Sequence, residues 1–146
     1  MPGWVSPLTL EEMAEFSRLT ASGRIGMAFT AIGDDWLEGS LTVNDRTING
    51  DGTLHHGALA ILAETLASVG ASMCVDMSRQ ACLGQILQLQ HIAAVNRGPL
   101  TGRAKPLWVL STHHLWEIQI RDGAGALACV AQLTTAVVNR LDRPAP

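Results

Sequence analysis

Glu64 is the only charged residue between Ala58 and Val75, in a run otherwise built of apolar and small residues. A carboxylate in such surroundings is costly unless it is paired or used. The run opens with His55-His56-Gly57. A helix start leaves backbone N–H groups without intrahelical partners and carries the positive end of the helix dipole. Such a tip could hold a carbonyl oxygen as it becomes an oxyanion, while the acid supplies a nucleophile or base. Gly57 and Glu64 share a face, close to two turns apart, which separates them by about 10 Å along the axis. One small carbonyl cannot easily touch both. The spacing therefore predicts that the tip of one chain works with the acid of a second, antiparallel copy, giving a two-fold pair with two shared sites.

Other readings of these residues stay open at this level. A lone Glu can pair with a buried Arg or stay protonated in a core. A His-His pair can be packing or a cap. His55, His56, His91, His113 and His114 form no familiar ligand spacing, so no metal site is expected. Ser68 and Ser72 lie on the helix without a nucleophile-elbow sequence, which argues against serine catalysis. Cys74, Cys82 and Cys129 each sit in an apolar run and read as reduced core residues.

The elements that must position Glu64 follow from periodicity. Thr9 and Glu12 form a capping-box pair, and Leu10, Met13, Phe16 and Leu19 recur at helical spacing, which predicts a helix over about 9–22 with one apolar face. Residues 25–33 and 36–44 read as strands joined at Gly33-Asp34-Asp35. Gly39 inside the second suggests a bend or a close backbone approach. Asn49-Gly50-Asp51-Gly52 is a tight loop leading into a central helix over about 57–75. Residues 82–94, 100–110, 113–121 and 126–139 read as four antiparallel strands. The tail over 140–146 reads as frayed. One long apolar helix needs a sheet around it, which points to an α+β fold in a single domain, residues 1–146.

Composition bounds the function. The chain of 146 residues is 47% hydrophobic and 16% charged, with a net charge of −3. Low charge density suggests surface covered by further copies of the chain. The acidic balance does not suggest a nucleic-acid surface. No membrane span is expected, because Ala, Ser, Gly and Glu make the central helix too polar. Met1-Pro2-Gly3-Trp4-Val5 lacks the basic flank of a signal peptide, so a cytoplasmic protein is the expectation. One section, between Asp76 and Glu117, has no acid but carries Arg79, Arg97, Arg103 and Lys105. It could attract a phosphate-bearing ligand or be an ordinary solvated strand face.

Gly52-Thr53-Leu54-His55-His56-Gly57-Ala58, followed by Leu62-Ala63-Glu64-Thr65, resembles the hotdog-fold acyl-CoA thioesterases. The branch is that of the 1,4-dihydroxy-2-naphthoyl-CoA and glutamate-dependent hydroxybenzoyl-CoA thioesterases. Ile32-Gly33-Asp34-Asp35, Asp45-Arg46-Thr47, Lys105-Pro106-Leu107, Trp116-Glu117-Ile118 and Leu133-Thr134-Thr135-Ala136-Val137 echo the same branch in order, over about residues 25–138. The resemblance implies a curved antiparallel sheet around one central helix, a dimer or tetramer, and hydrolysis of an aryl- or related acyl-CoA without a cofactor. It implies Glu64 as nucleophile or general base, Asn49 in place of the family's usual loop Gln, and His55 at the helix start. It places Ser68 and His91 at the acyl pocket and Ser111, Thr112 and His113 against coenzyme A. Where the family has His-Gly-Gly, this chain has His55-His56-Gly57, so a backbone donor at His56 is kept while an imidazole is added to the pocket. A non-catalytic acyl-CoA-binding protein, or a thioesterase acting on a carrier-protein-bound acyl group, fits the same fold. A dehydratase would want an Asp and a His placed for proton abstraction, and no such motif is present.

Overall fold

A computed structural model describes residues 3–142. Thr9 caps the first helix, α1 (Leu10–Ser17). Its hydroxyl accepts from the Glu12 N–H at 3.1 Å, and the Glu12 carboxylate accepts from the Thr9 N–H at 2.8 Å. The helix expected over about 9–22 is two pieces. The Thr20 hydroxyl donates to the Ser17 carbonyl at 2.6 Å and caps a one-turn helix, α2 (Ala21–Arg24). A threonine that bonds local backbone competes with helix continuation. Only Met13 of the expected apolar stripe is fully buried; Phe16 and Leu19 remain 47% and 65% exposed. Two turns are too short to bury a whole stripe: Met13 joins the core, while Phe16 meets Phe29 of the first strand with ring centres 6.3 Å apart.

Six strands form one antiparallel sheet: β1 (Ala28–Ile32), β2 (Leu37–Thr42), β3 (Gln80–His91), β4 (Pro99–Val109), β5 (His113–Asp122) and β6 (Leu127–Asn139). Their spatial order is β1-β2-β4-β5-β6-β3. The central helix, α3 (His56–Met73), packs on the inner face, which is the hotdog arrangement. Alternation decides the faces. Leu100, Ala104, Trp116, Ile118, Ile120 and Leu133 turn toward α3 and are buried, while Arg103, Lys105 and Gln119 do not. Two glycines let the helix approach. Gly39 and Gly102 are partners across β2 and β4, and a Cβ on either would stand 3.0 or 2.9 Å from Leu66. The close approach expected at Gly39 is thus present, and a register shift lies opposite it, on β1 between Phe29 and Ala31.

Strand β3 is an edge: it pairs only with β6, leaving Leu83 and Ile86 exposed, Ile86 at 59%. Of the tail expected at 140–146, Arg140–Asp142 form a short 3-10 turn and the Arg140 N–H donates to the Arg79 carbonyl at 2.9 Å. Residues 143–146 lie outside the described residues. The three cysteines are free. Burial pushes the Cys74 and Cys82 thiols up to about 11 and raises that of Cys129, so none is a ready nucleophile.

Candidate active site

Glu64 projects from the middle of α3 toward edge strand β3 and is half-buried. Its Oε1 accepts from the Ser68 hydroxyl at 2.5 Å, one helical turn on. Gly84 lies opposite, so close that a Cβ there would be 3.1 Å from Oε1. The strand bulges just past it, between Gly84 and Ile86. Among the described residues Glu64 takes part in no ion pair. A cavity of about 530 Å³ reaches it. Its floor is the Ile61–Glu64–Ser68 face of α3, one wall is Phe16 and Thr20 to Ser22, and Leu87 of β3 stands on the other side.

The helix tip is built differently from a bare N-terminus. His55 is the N-cap, in extended conformation, and its Nδ1 accepts from the Gly57 N–H at 2.8 Å. The Ala58 N–H donates to the His55 carbonyl at 2.9 Å. Gly57 is therefore committed to its own cap. The His56 N–H has no acceptor among the described residues and is available to a ligand. The His56 imidazole stacks on His91, at the end of β3, with ring centres 3.6 Å apart. Partial burial, and the neighbouring His56 ring, lower the His91 pKa from the ordinary histidine value.

Asn49 lies in the loop before α3. Its side-chain amide donates to Thr53 at 3.0 Å and to the Leu54 carbonyl at 3.4 Å, which leaves its carbonyl oxygen to accept from a ligand or water. Asn49, His55 and His56 line a second cavity of about 490 Å³, closed by residues 93–96. Glu64 does not line it, so one chain holds the acid and the tip in separate cavities. Ser68 joins Glu64, and His91 joins His56. Ser111, Thr112 and His113 form the exposed turn between β4 and β5, away from both cavities.

Two of the four cations of the acid-free section, Arg103 and Lys105, are paired on an ordinary strand face. Arg103 binds the Glu38 carboxylate at 2.8 Å and stacks over Trp36 at 4.1 Å, and Lys105 reaches Asp35 at 4.0 Å. Both acids belong to the β1–β2 hairpin, beside β4 in space but some 65 residues away in sequence. Among the described residues no three His, Cys, Asp or Glu side chains converge as metal ligands, and no helix is long and apolar enough to cross a membrane. Phe16, Thr20, Ser22, Thr65 and Leu87 line the Glu64 cavity without having been singled out from sequence. The only local trace of that wall was the apolar spacing of α1.

Residues 51–129 match the model of the thioesterase superfamily. A 1,4-dihydroxy-2-naphthoyl-CoA hydrolase of Escherichia coli is 35% identical over 92% of this chain and 98% of its own length. A proofreading thioesterase of Cronobacter sakazakii is 36% identical over the same shares, 92% and 98%. The crystal structure of a thioesterase from Haemophilus influenzae superposes with a TM-score of 0.93 at 31% identity, covering 99% of this chain and 100% of that one. The chain belongs to the thioesterase superfamily and is a thioester hydrolase.

Proposed function

We propose that this hydrolase cleaves an aryl- or related acyl-CoA thioester in a site shared by two copies of the chain, with Glu64 as the reacting carboxylate. The observation that carries the reading is the state of Glu64: held by one hydroxyl, with no cation paired to it among the described residues, at the floor of an apolar cavity. A structural acid would be expected to be neutralised by a partner. This one has an oxygen to spare. In one form of the reaction it takes a proton from water as that water bonds to the carbonyl carbon. The tetrahedral intermediate then collapses, the C–S bond breaks, and the sulfur leaves as the protonated thiol of coenzyme A. In the other form a Glu64 oxygen bonds to the carbonyl carbon, the C–S bond breaks and coenzyme A leaves as the thiolate. Water then hydrolyses the mixed anhydride to the free acid and regenerates the Glu64 carboxylate, its released proton going to the thiolate. Neither route calls on a metal or an organic cofactor.

The oxyanion is held by the His56 N–H of the second copy. The axial offset between the tip and Glu64, and their separate cavities, argue against a one-chain site. Edge strand β3 is the natural seam for pairing, because it offers unpaired backbone groups and exposed Leu83 and Ile86. Pairing there sets two copies of α3 side by side in opposite directions, and such a dimer could pair again into a tetramer. His55 holds the tip in shape, the Asn49 carbonyl oxygen orients water, Ser68 fixes the carboxylate, and His91 lines the acyl end. Ser111, Thr112 and His113 are where we place the coenzyme A contact. An acyl-CoA substrate suits a cytoplasmic setting. Thiol release from benzoyl-CoA tests this. Glu64→Gln, folded as judged by circular dichroism, is expected to lose at least about a hundredfold in turnover, the scale of removing a catalytic group. Undiminished turnover would contradict the proposal.

A further inference from the structure

We propose that the α1–α2 wall selects the acyl group: the cavity at Glu64 takes an apolar chain rather than an oxygen-rich ring, and Phe16 sets how far that chain extends. The proposal rests on Glu64 marking the acyl site and deepens that reading. Three observations carry it. First, the cavity, about 530 Å³, is of the size that holds small ligands. Second, Phe16 is apolar yet 47% exposed, and its ring meets Phe29 of β1 with planes 59° apart. A large apolar side chain left uncovered beside a reactive acid is a surface waiting for an apolar contact. Third, the hydroxyls around the cavity are largely spent. Thr20 donates to the Ser17 carbonyl at 2.6 Å and shares a hydrogen bond with Ser22 at 3.0 Å, while Ser68 is taken by Glu64. Thr65 alone keeps a hydroxyl with no partner among the described residues. A ring bearing two or more hydroxyls would have to give up water for too few partners. An alkyl chain loses nothing by entering.

Binding of non-hydrolysable S-alkyl-CoA thioethers separates this from the chemistry. The full-length protein is titrated with propyl-, hexyl- and decyl-CoA and with dihydroxybenzyl-CoA, and thiol release from hexanoyl-CoA is followed in parallel. Hexyl-CoA is expected to bind at least about tenfold tighter than propyl-CoA, since each methylene taken from water contributes about fourfold. It should also bind more tightly than dihydroxybenzyl-CoA. Phe16→Trp, which advances the wall, should weaken decyl-CoA against hexyl-CoA, and Phe16→Ala should shift the preference the other way. Dihydroxybenzyl-CoA binding tightest, or one unchanged ranking in all three proteins, would overturn the proposal. Hexyl-CoA bound with the expected ranking while hexanoyl-CoA is not cleaved would leave the wall's selectivity standing and remove the hydrolysis mechanism instead.

Discussion

The imidazoles of His56 and His91 lie face to face, ring centres 3.6 Å apart and planes 19° from parallel. That contact joins the tip of α3 to the end of edge strand β3. It also separates two properties of one residue. The His56 side chain covers His91, while the His56 N–H points free of the helix.

Two substitutions pull those properties apart. His56→Gly keeps the N–H and uncovers His91, so turnover of bulkier acyl groups should rise relative to small ones. His56→Pro deletes the N–H at the first helical position, where proline is well tolerated. His55, at φ −72° and ψ 123°, already has the extended backbone that a following proline requires. The expected result is a folded protein whose kcat is lower by about 10²–10³, the range for loss of one oxyanion donor. Steady-state hydrolysis with circular dichroism on both variants checks it.

Two glycines against side chains of different roles give a second contrast. A Cβ at Gly70 would stand 2.7 Å from the Trp116 ring, which is wholly buried and stacked under Trp4 at 6.4 Å. Overpacking of this kind costs about 1–3 kcal/mol, against a helix-propensity gain of about 1 kcal/mol for Gly→Ala. Gly70→Ala should therefore be destabilising by up to about 2 kcal/mol in urea denaturation. At Gly84 the added methyl meets the Glu64 carboxylate instead, at 3.1 Å. Gly84→Ala should leave the urea midpoint nearly unchanged and lower kcat by displacing the reacting group.

The long helix, its acid, the capping box at Thr9 and Glu12, and the later strands were legible because each is signalled by residues close in sequence. The separation of tip and acid was legible too, since helix geometry alone fixes it. Contacts between distant segments were not. Nothing local says that Glu38 meets Arg103, so the acid-free section looked more available to a phosphate than it is. The stripe of α1 gave no sign that Met13 would be buried and Phe16 left at the mouth of a cavity, because that depends on where β1 and α3 lie. The engagement of the Gly57 N–H by His55 was hidden for a related reason: cap geometry turns on a side-chain rotamer.

Stability should fall as acid is added, beginning near neutrality. His114 is 1% exposed, its Nδ1 has no hydrogen-bond partner among the described residues, and burial, the main cause, lowers its pKa. The folded chain thus keeps it neutral where the unfolded chain would protonate it. Its stabilising contribution is complete above the ordinary histidine value of about 6.5 and is lost as pH drops below it. One such group steepens the dependence by at most about 1.4 kcal/mol per pH unit. Asp51 and Asp76 are held below the usual carboxylate range by hydrogen bonds from Thr53 and Ser78, so their effect comes only below about pH 4. Urea unfolding between pH 7.5 and 5 should show a shallower slope in His114→Gln than in the parent.

Mixing two inactive variants tests the shared site most directly. Glu64→Ala lacks the acid and His56→Pro lacks the donor, so each homodimer has two broken sites. After joint unfolding and refolding, half of the dimers combine one chain of each kind, and each of these carries one intact site. A shared site predicts recovery to about a quarter of wild-type thiol release. Activity that stays at the average of the two parents would show that each chain catalyses alone, and would contradict the account.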